Sequence, residues 1–385
     1  MTEILDSSSS PAARSSGPAW ATRIVFFAAG LSVSAWAPLV PLVKTRLELS
    51  DSHLGLLLLC PGVGLFAAMP VTGALTGRYG TRRVAPIAGA VAACTLPALA
   101  SLDHIWLLGL VLVLFGAAGG MTDVAMNVHA ILVERTTGRA MMSTFHGLWS
   151  VGCVAGAGLV TLMLASGLTP VSASIVVSAG ALLLLAVSRP LMLPGGGEPG
   201  GPAFVMPHGI VLLMGVCCAV LFLAEASVQD WSGVLLTTTR GVEESHAGVG
   251  YVAFASAMTV CRLVGDPIVR GLGPSRVVVL GSLTAAGGFM LAALSPFPSI
   301  DIIGYGLFGI GAANVVPVMF SATGRQTVMP ANLAVPAMTT MGYAGSLIGP
   351  AIIGLLSGLF GLPASLTVVA ALLVVVGVAS TRIKL

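Results

Sequence analysis

The chain has 385 residues, of which 56% are hydrophobic and only 8% are charged, and its mean hydropathy is +1.01. A soluble globular domain carries about 25% charged residues, so this composition excludes that class and indicates an integral membrane protein. The net charge of +3 is small, and the basic residues do not cluster with aromatic side chains, so nucleic-acid binding has no support in the sequence.

Twelve apolar runs are long enough to cross a bilayer as helices, which takes about 20 residues each. A Ser-rich stretch, residues 1–20, precedes them and is expected to be a disordered cytoplasmic tail. A stretch dense in glycine and proline, residues 190–207, separates six runs from six and predicts a linker. The predicted fold is an all-α membrane protein with two six-helix bundles, residues 21–189 and 208–385. The runs cover residues 22–43, 52–75, 84–102, 105–133, 140–166, 170–188, 208–231, 246–268, 277–295, 301–322, 334–358 and 363–381.

The lysines and arginines predict the orientation of these spans. All but three of the 17 basic residues fall at one end of the predicted helices, and the exceptions are Lys44, Arg46 and Arg240. Basic residues accumulate in cytoplasmic loops. We therefore expect a multi-pass protein of a bacterial-type inner membrane with both termini in the cytoplasm.

The two predicted bundles repeat one another at an offset of 193 residues. The segment SHLG at residues 52–55 aligns with SHAG at residues 245–248, and Gly80 and Arg83 align with Gly273 and Arg276. A single register across a half of the chain indicates duplication, and six helices per half give the two halves parallel topology.

Asp123 is the most informative single residue because it lies inside an otherwise apolar predicted helix. An aspartate in hydrocarbon costs about 2.5 kcal/mol or more and usually faces a bundle interior or a watery cavity. Asn127 lies four residues on and shares its helix face. The pair predicts a polar site, where Asp123 either binds a transported proton or makes a structural hydrogen bond.

A second acid, Glu225, lies in the seventh predicted span, with Gln229 on the same face. Glu225 is, with Asp123, a candidate for proton coupling. By helix-rise arithmetic we expect Glu225 in the outer half of the membrane, roughly 15 Å from Asp123 along the membrane normal. The two acids would then flank a central substrate site, unless Glu225 only stabilises the outer mouth. Asp230 beside Trp231 is expected at the membrane interface.

Further candidates for the cavity wall are His146, Trp36, Asn314 and Tyr343, whose alternative role is interhelical packing. His146 could contact substrate or a proton, or make an ordinary hydrogen bond near a helix end. His129 is expected on another side of its helix from Asp123, because six residues separate them.

The loop after the second span reads GALTGRYGTRR and runs from Gly73 to Arg83. It resembles the signature loop G-x-L-x-D-R-x-G-x-R-R of the major facilitator superfamily, which implies a gating role for its residues. Gly77 stands where that family usually has aspartate, so any charge lock would rest on Asp266, which follows Arg262 by four residues. The resembling gating-loop positions are Gly73, Arg78, Gly80, Arg82 and Arg83.

A narrower resemblance is to the fucose-permease-like branch, including bacterial members of unassigned substrate. In sugar–proton symporters of that branch, the fourth helix carries an acid with asparagine four residues later, and the fifth helix begins with T-F-N. Here these positions are Asp123, Asn127 and the segment TFH at residues 144–146. The segment 224–236, AEASVQDWSGVLL, also resembles its seventh helix. The resemblance implies proton coupling through Asp123. The first-helix acid of those symporters is missing between Arg23 and Val43.

The sequence holds no catalytic motif and no phosphate-binding loop for ATP, and its six cysteines lie in apolar segments without metal-ligand spacing. We expect no enzyme, cofactor or metal, but a monomeric secondary transporter that takes a small polar solute, such as a sugar, and protons. Two alternatives are a proton-driven exporter of amphipathic compounds and a membrane sensor or scaffold that transports nothing.

Overall fold

The computed structural model describes residues 16–139, 141–195 and 206–383, and every regular element within these ranges is helical. We call residues 16–195 the first half and residues 206–383 the second half. The first half contains α1 Gly17–Ser34, α2 Val40–Arg46, α3 Asp51–Leu57, α4 Leu59–Tyr79, α5 Thr81–Ser101, α6 Ile105–Thr137, α7 Met142–Ala165 and α8 Pro170–Ser188. The second half contains α9 Gly209–Val234, α10 Val249–Leu263, α11 Gly265–Leu272, α12 Pro274–Leu294, α13 Pro298–Ala312, α14 Val315–Arg325, α15 Ala331–Phe360 and α16 Leu362–Ser380.

Eleven helical stretches of the described chain are long and apolar enough to cross a membrane, and they match eleven of the twelve predicted runs. The twelfth run, 246–268, corresponds to two consecutive helices, α10 with 15 residues and α11 with 8. Val264 between them leaves the helical conformation, with φ −102° and ψ 15°. Gly265 and Pro267 follow it, and both residue types weaken a helix interior. Short breaks also separate α3 from α4 and α13 from α14, so several predicted runs consist of two consecutive helices.

The structure describes only parts of the predicted tail and linker. Helix α1 begins at Gly17 with Pro18 in its first turn. Proline lacks a backbone N–H group, but N–H groups in the first turn of a helix have no partner within the helix, so proline is tolerated there. Residues 17–20 are thus helical, and residues 1–15 lie outside the described part. In the linker, Met192 is buried and residues 196–205 lie outside the described ranges.

Equivalent turns in the two halves recur at the sequence offset of 193 residues. Gly80 joins α4 to α5 with φ 77° and ψ 153°, and Gly273 joins α11 to α12 with φ 82° and ψ 149°. Positive φ of this size is readily adopted only by glycine. The repeat seen in the sequence therefore has a counterpart in backbone conformation.

An arginine closes the same end of each half. Arg46 donates to the carbonyl oxygens of Leu99, at 3.1 Å, and of Ala100, both in the last turn of α5, and its Nε lies 3.3 Å from the Asp103 carboxylate. The last carbonyl groups of a helix have no partner within it and carry partial negative charge. Arg46 donates hydrogen bonds to these carbonyl groups, and its positive charge balances their partial negative charge.

Arg240 makes the matching contacts in the second half. Its guanidinium donates to the carbonyl oxygens of Ala292, at 3.1 Å, and Ala293, at 3.3 Å, which lie 193 residues after the carbonyls bound by Arg46. Its Nε lies 2.8 Å from Asp301. We call the end of the molecule that carries Lys44, Arg46 and Arg240 the arginine-poor end, and the opposite end the arginine-rich end.

The two halves pack tightly against each other toward the arginine-poor end. A Cβ atom added to Gly55 on α3 would lie 2.8 Å from Gly354 Cα on α15. One added to Gly248, at the start of α10, would lie 2.0 Å from the Thr161 hydroxyl oxygen on α7. Gly55 and Gly248 are the last residues of the repeated SHLG and SHAG segments. These segments serve close approach of the halves.

Two carboxylates strengthen this seam with hydrogen bonds. Asp51 accepts a hydrogen bond from the hydroxyl of Ser357 in the other half and lies 3.1 Å from Lys44 Nζ. Glu244, which is 193 residues after Asp51, accepts a hydrogen bond of 2.6 Å from Thr45. The seam at the arginine-poor end is therefore both packed and polar.

Candidate functional site

Asp123 is joined to both halves of the molecule. It lies on α6 and is partly buried. The side-chain nitrogen of Asn127, one turn along α6, lies 3.2 Å from its Oδ1 and 2.9 Å from its main-chain carbonyl oxygen. The phenol of Tyr343, on α15 of the second half, donates to Asp123 Oδ2 at 2.9 Å. The structure thus brings together three of the residues selected from the sequence.

A second polar pair lies in the second half. Glu225 on α9 faces Arg262 on α10, with 3.5 Å between Oε1 and a terminal guanidinium nitrogen. Both side chains keep partial exposure, 23% for Glu225 and 29% for Arg262. The helical stretch that contains Glu225 runs from Gly209 to Thr239, so Glu225 lies near the middle of that stretch. Its depth in the membrane stays a prediction.

Arg262 therefore lies among the helices, although the sequence assigned it to the gating loop with Asp266. Its Nε donates to the carbonyl oxygen of Ala313 at 3.3 Å. The neighbouring Asn314 donates from its side chain to the carbonyl oxygen of Cys261 at 3.2 Å. These two contacts join the end of α10 to the break between α13 and α14. The side chain of Asp266 lies outside the described part of the structure.

Three remaining candidates have different environments. His146 is exposed and its ring meets that of Phe26 edge-on at a centroid distance of 5.2 Å. Gln229 is partly buried on α9, one turn after Glu225. Trp36 is 1% exposed within the hydrophobic core, so in this structure it packs between helices instead of lining a cavity.

Asp230 and His129 were not selected as site residues from the sequence, and the structure shows where both lie. Asp230 is 7% exposed, so its side chain is buried among the helices. His129 is fully buried and bonds Thr22 on α1 through Nδ1 at 2.9 Å. Its Nε2 accepts from the main-chain nitrogen of Leu193 at 3.0 Å. His129 thus anchors the chain after α8 and points away from the Asp123 site.

The glycines and arginines of the resembling loop surround the junction of α4 and α5. Arg82 Nε donates to the carbonyl oxygen of Arg189 at 3.1 Å, and the Arg78 guanidinium lies 5.3 Å from the ring centroid of Tyr79. A Cβ atom at Gly77 would meet nothing within 4 Å. The aspartate usual at this position would therefore have room here. The other gating-loop positions selected from the sequence are Gly73, Gly80 and Arg83.

Among the described residues, no group of three or more His, Cys, Asp or Glu side chains could hold a metal ion. Asp123 is a carboxylate bound by donors from both halves, and Glu225 and Arg262 form a carboxylate–guanidinium pair in the second half. Polar groups of this kind within membrane helices usually mark a transport pathway.

Comparison with known proteins agrees with this class. The family model of the Major Facilitator Superfamily matches residues 24–327. An uncharacterized MFS-type transporter of Yersinia pestis is 51% identical over 94% of this chain and 94% of its own length. The uncharacterized transporter y4wD of Sinorhizobium fredii is 33% identical over 86% of this chain and 89% of its own. The crystal structure of the nucleoside transporter NupG superposes with a TM-score of 0.75 at 14% identity, covering 94% of this chain and 98% of that one.

The protein is a multi-pass membrane transporter of the all-helical kind. It belongs to the Major Facilitator Superfamily, whose members bind small molecules within the membrane. The narrower resemblance to the fucose-permease-like branch stays a prediction.

Proposed function

We propose that the chain moves a small polar solute, a sugar or a related metabolite, across a bacterial inner membrane by alternating access, and that a proton on Asp123 drives the transport. Residues 21–189 and 208–385 would act as two six-helix bundles that rock about a central site. The observation that carries the proposal is the hydrogen bond from Tyr343 to Asp123, because it joins the two halves through a titratable group.

The proton would act through the donors on this carboxylate. An ionised Asp123 accepts from Asn127 on one oxygen and from Tyr343 on the other, and such charge-assisted bonds are about twice as strong as neutral ones. A proton on Oδ2 would make the carboxyl group a donor there and weaken the bond from Tyr343. Protonation would therefore loosen a link between α6 and α15 and let the halves rearrange once substrate is bound.

The other candidates would hold the solute. Glu225 and Arg262 are partly exposed and would present their charges to the solute, and Gln229, Asn314 and His146 would add neutral donors and acceptors. Trp36 would support this wall from within the core. Gating would involve the loop from Gly73 to Arg83, together with Asp266.

We further propose that the arginine-rich end faces the cytoplasm, together with both termini, because basic residues are retained on that side. The seam between the halves then seals the outer side, through Gly55, Gly248, Asp51 and Glu244. The structure would represent a form that opens toward the cytoplasm.

The substrate and the coupling can be tested together. A thermal-shift screen of sugars, sugar acids and amphipathic drugs at two pH values should give a solute whose binding depends on pH. In proteoliposomes with an imposed proton gradient, the wild type should accumulate that solute. Asp123→Asn should bind and exchange it without accumulating it, because the amide cannot carry the proton.

Asp103→Asn is the matched control, since Asp103 is 74% exposed and lies on the loop that precedes α6. It should accumulate the solute as the wild type does. Undiminished accumulation by Asp123→Asn would contradict proton coupling at this residue. A purified protein that binds a solute but never moves it would contradict transport and favour a sensor. Drug sensitivity of a deletion strain, without loss of growth on any carbon source, would favour export of amphipathic compounds.

A further inference from the structure

A polar cavity of about 690 Å³ lies at the arginine-rich end, away from the Asp123 site. It is bounded by the junction of α4 and α5 on one side and by the chain that follows α8 on the other. Three of its lining residues are arginines, Arg82, Arg83 and Arg189, and Tyr79 and Gly195 complete its rim. None of the residues that line it is acidic.

Main-chain contacts set the shape of this arginine cavity. The Thr81 amide, the first of α5, donates to the carbonyl oxygen of Gly195 at 2.8 Å. Arg82 uses its Nε to bind the Arg189 carbonyl oxygen, which leaves its terminal nitrogens for another acceptor. Within the described residues, the three arginines take part in no ion pair. An anion with several oxygen atoms is the ligand that such a cluster favours, since guanidinium groups pair with phosphate in bidentate geometry.

A separate apolar groove also borders α5. It has a volume of about 500 Å³ and lies between α5 and α6. From α5 it is lined by Ile87, Val91 and Cys94, which share one helix face with Arg83 because they follow at intervals of three or four residues. These side chains are exposed on the outer surface of the bundle.

The stretch of α5 from Arg83 to Cys94 matches one membrane leaflet in length, and the lining of the groove continues to Ala98. Arg83 and Cys94 are eleven residues apart, which is about 16 Å along a helix at 1.5 Å per residue. This distance is about half of the ~30 Å hydrocarbon core of a bilayer. A molecule with its charge at Arg83 and a tail along α5 would reach the bilayer midplane.

We propose that the arginine cavity and the groove together bind an anionic phospholipid. The phosphate group contacts Arg82, Arg83 and Arg189, and one acyl chain lies along Ile87, Val91 and Cys94. Basic cavities between transmembrane helices bind anionic lipid headgroups in this way. The groove favours a lipid over free phosphate, because free phosphate would leave the apolar surface uncovered.

The test uses the purified full-length protein in detergent. Phosphatidylglycerol, phosphatidylcholine and inorganic phosphate are each titrated, and binding is followed by native mass spectrometry and by the apparent melting temperature. The variants are Arg83→Gln/Arg189→Gln, which removes two charges, and Val91→Trp, which fills the groove and keeps every arginine. The control is Arg276→Gln/Arg382→Gln, at the positions 193 residues later in the repeat.

Phosphatidylglycerol should bind the wild type and the control variant, with phosphatidylcholine much weaker. Each arginine near a lipid surface contributes about 1 kcal/mol, so loss of two should weaken phosphatidylglycerol binding about 30-fold. Val91→Trp should weaken it as well, without changing the response to inorganic phosphate.

Two results would overturn the proposal. The first is wild-type affinity for phosphatidylglycerol in Arg83→Gln/Arg189→Gln. The second is equal stabilisation by inorganic phosphate together with no effect of Val91→Trp, which would make the cavity a site for free phosphate. If the double arginine variant does not fold, the Val91→Trp arm still decides between lipid and free phosphate.

Discussion

Replacement of Gly55 by alanine should open the arginine-poor end of the transporter. Gly55 on α3 faces Gly354 on α15, and an added Cβ atom would lie 2.8 Å from Gly354 Cα and 3.0 Å from the Pro350 carbonyl oxygen. Both contacts are with main-chain atoms, so no side-chain rotation relieves them. The clash exists only while the two halves are together at this end.

The size of the effect follows from the cost of overpacking. Adding a methyl group to a filled contact typically costs about 1–3 kcal/mol. Because the cost falls on the closed form alone, it shifts the ratio of open to closed forms by about 5 to 150-fold toward opening. A form open at this end that is rare in the wild type would then become measurable.

Distances between spin labels report this ratio directly. Labels at His104 and Phe297, which lie at the arginine-poor end of each half, should show a longer distance component in Gly55→Ala. The parent protein for labelling would have its six cysteines replaced. Gly158→Ala is the control, since a Cβ atom at Gly158 would meet nothing within 4 Å.

An unchanged distance distribution in a folded Gly55→Ala protein would refute the reasoning. It would mean that the seam yields locally without parting the halves. Gly354→Ala offers an independent check from the opposite side of the same contact, because its Cβ atom would lie 2.6 Å from Gly55 Cα. The two variants should shift the distribution in the same direction.

Three further outcomes follow from the described contacts. Asp301→Asn should lower the free energy of unfolding by about 3 kcal/mol, since breaking a buried ion pair leaves its arginine uncompensated. Asp103→Asn should cost less than about 1 kcal/mol because its carboxylate is exposed. Apparent melting temperatures compare the two variants, and equal losses would contradict the role of burial. Glu225→Gln and Arg262→Gln should each destabilise the protein, but the double variant should recover most of the loss because it leaves no unpaired charge. Additive losses in the same melting assay would contradict an ion pair between these two side chains. Tyr343→Phe should remove a hydrogen bond to Asp123 that contributes about 1.5–3 kcal/mol between the halves, and it should shift the pH dependence of solute binding. An unaltered pH profile of solute binding would contradict the proposed link to Asp123.

The sequence predicted the helices well because hydropathy alone determines which segments can lie in a bilayer. It also located the SHLG and SHAG repeat, although not its purpose, since a close approach of two halves involves residues that are 299 positions apart in the chain. The broken run at Val264 could have been suspected from Gly265 and Pro267. Hydropathy averages over such breaks, which also occur between α3 and α4 and between α13 and α14 within other predicted runs.

The candidate site was predictable in its parts but not in its pairings. Asp123 and Asn127 share a helix face, so their contact follows from spacing alone. The contact between Asp123 and Tyr343 crosses from one half to the other, and no local pattern predicts it. Glu225 and Arg262 were both selected, but for different roles, because helix-rise arithmetic gives depth and says nothing about which neighbouring helix a side chain faces.

The contacts at the seam have the reciprocity of a symmetric dimer. Gly55 meets Gly354, and Gly248, the repeat equivalent of Gly55, meets Thr161, the repeat equivalent of Gly354. In a twofold dimer each surface patch pairs with its own copy in this manner. These contacts pair the two halves as two copies of a subunit would pair, so the two halves expressed as separate polypeptides should associate through this same surface.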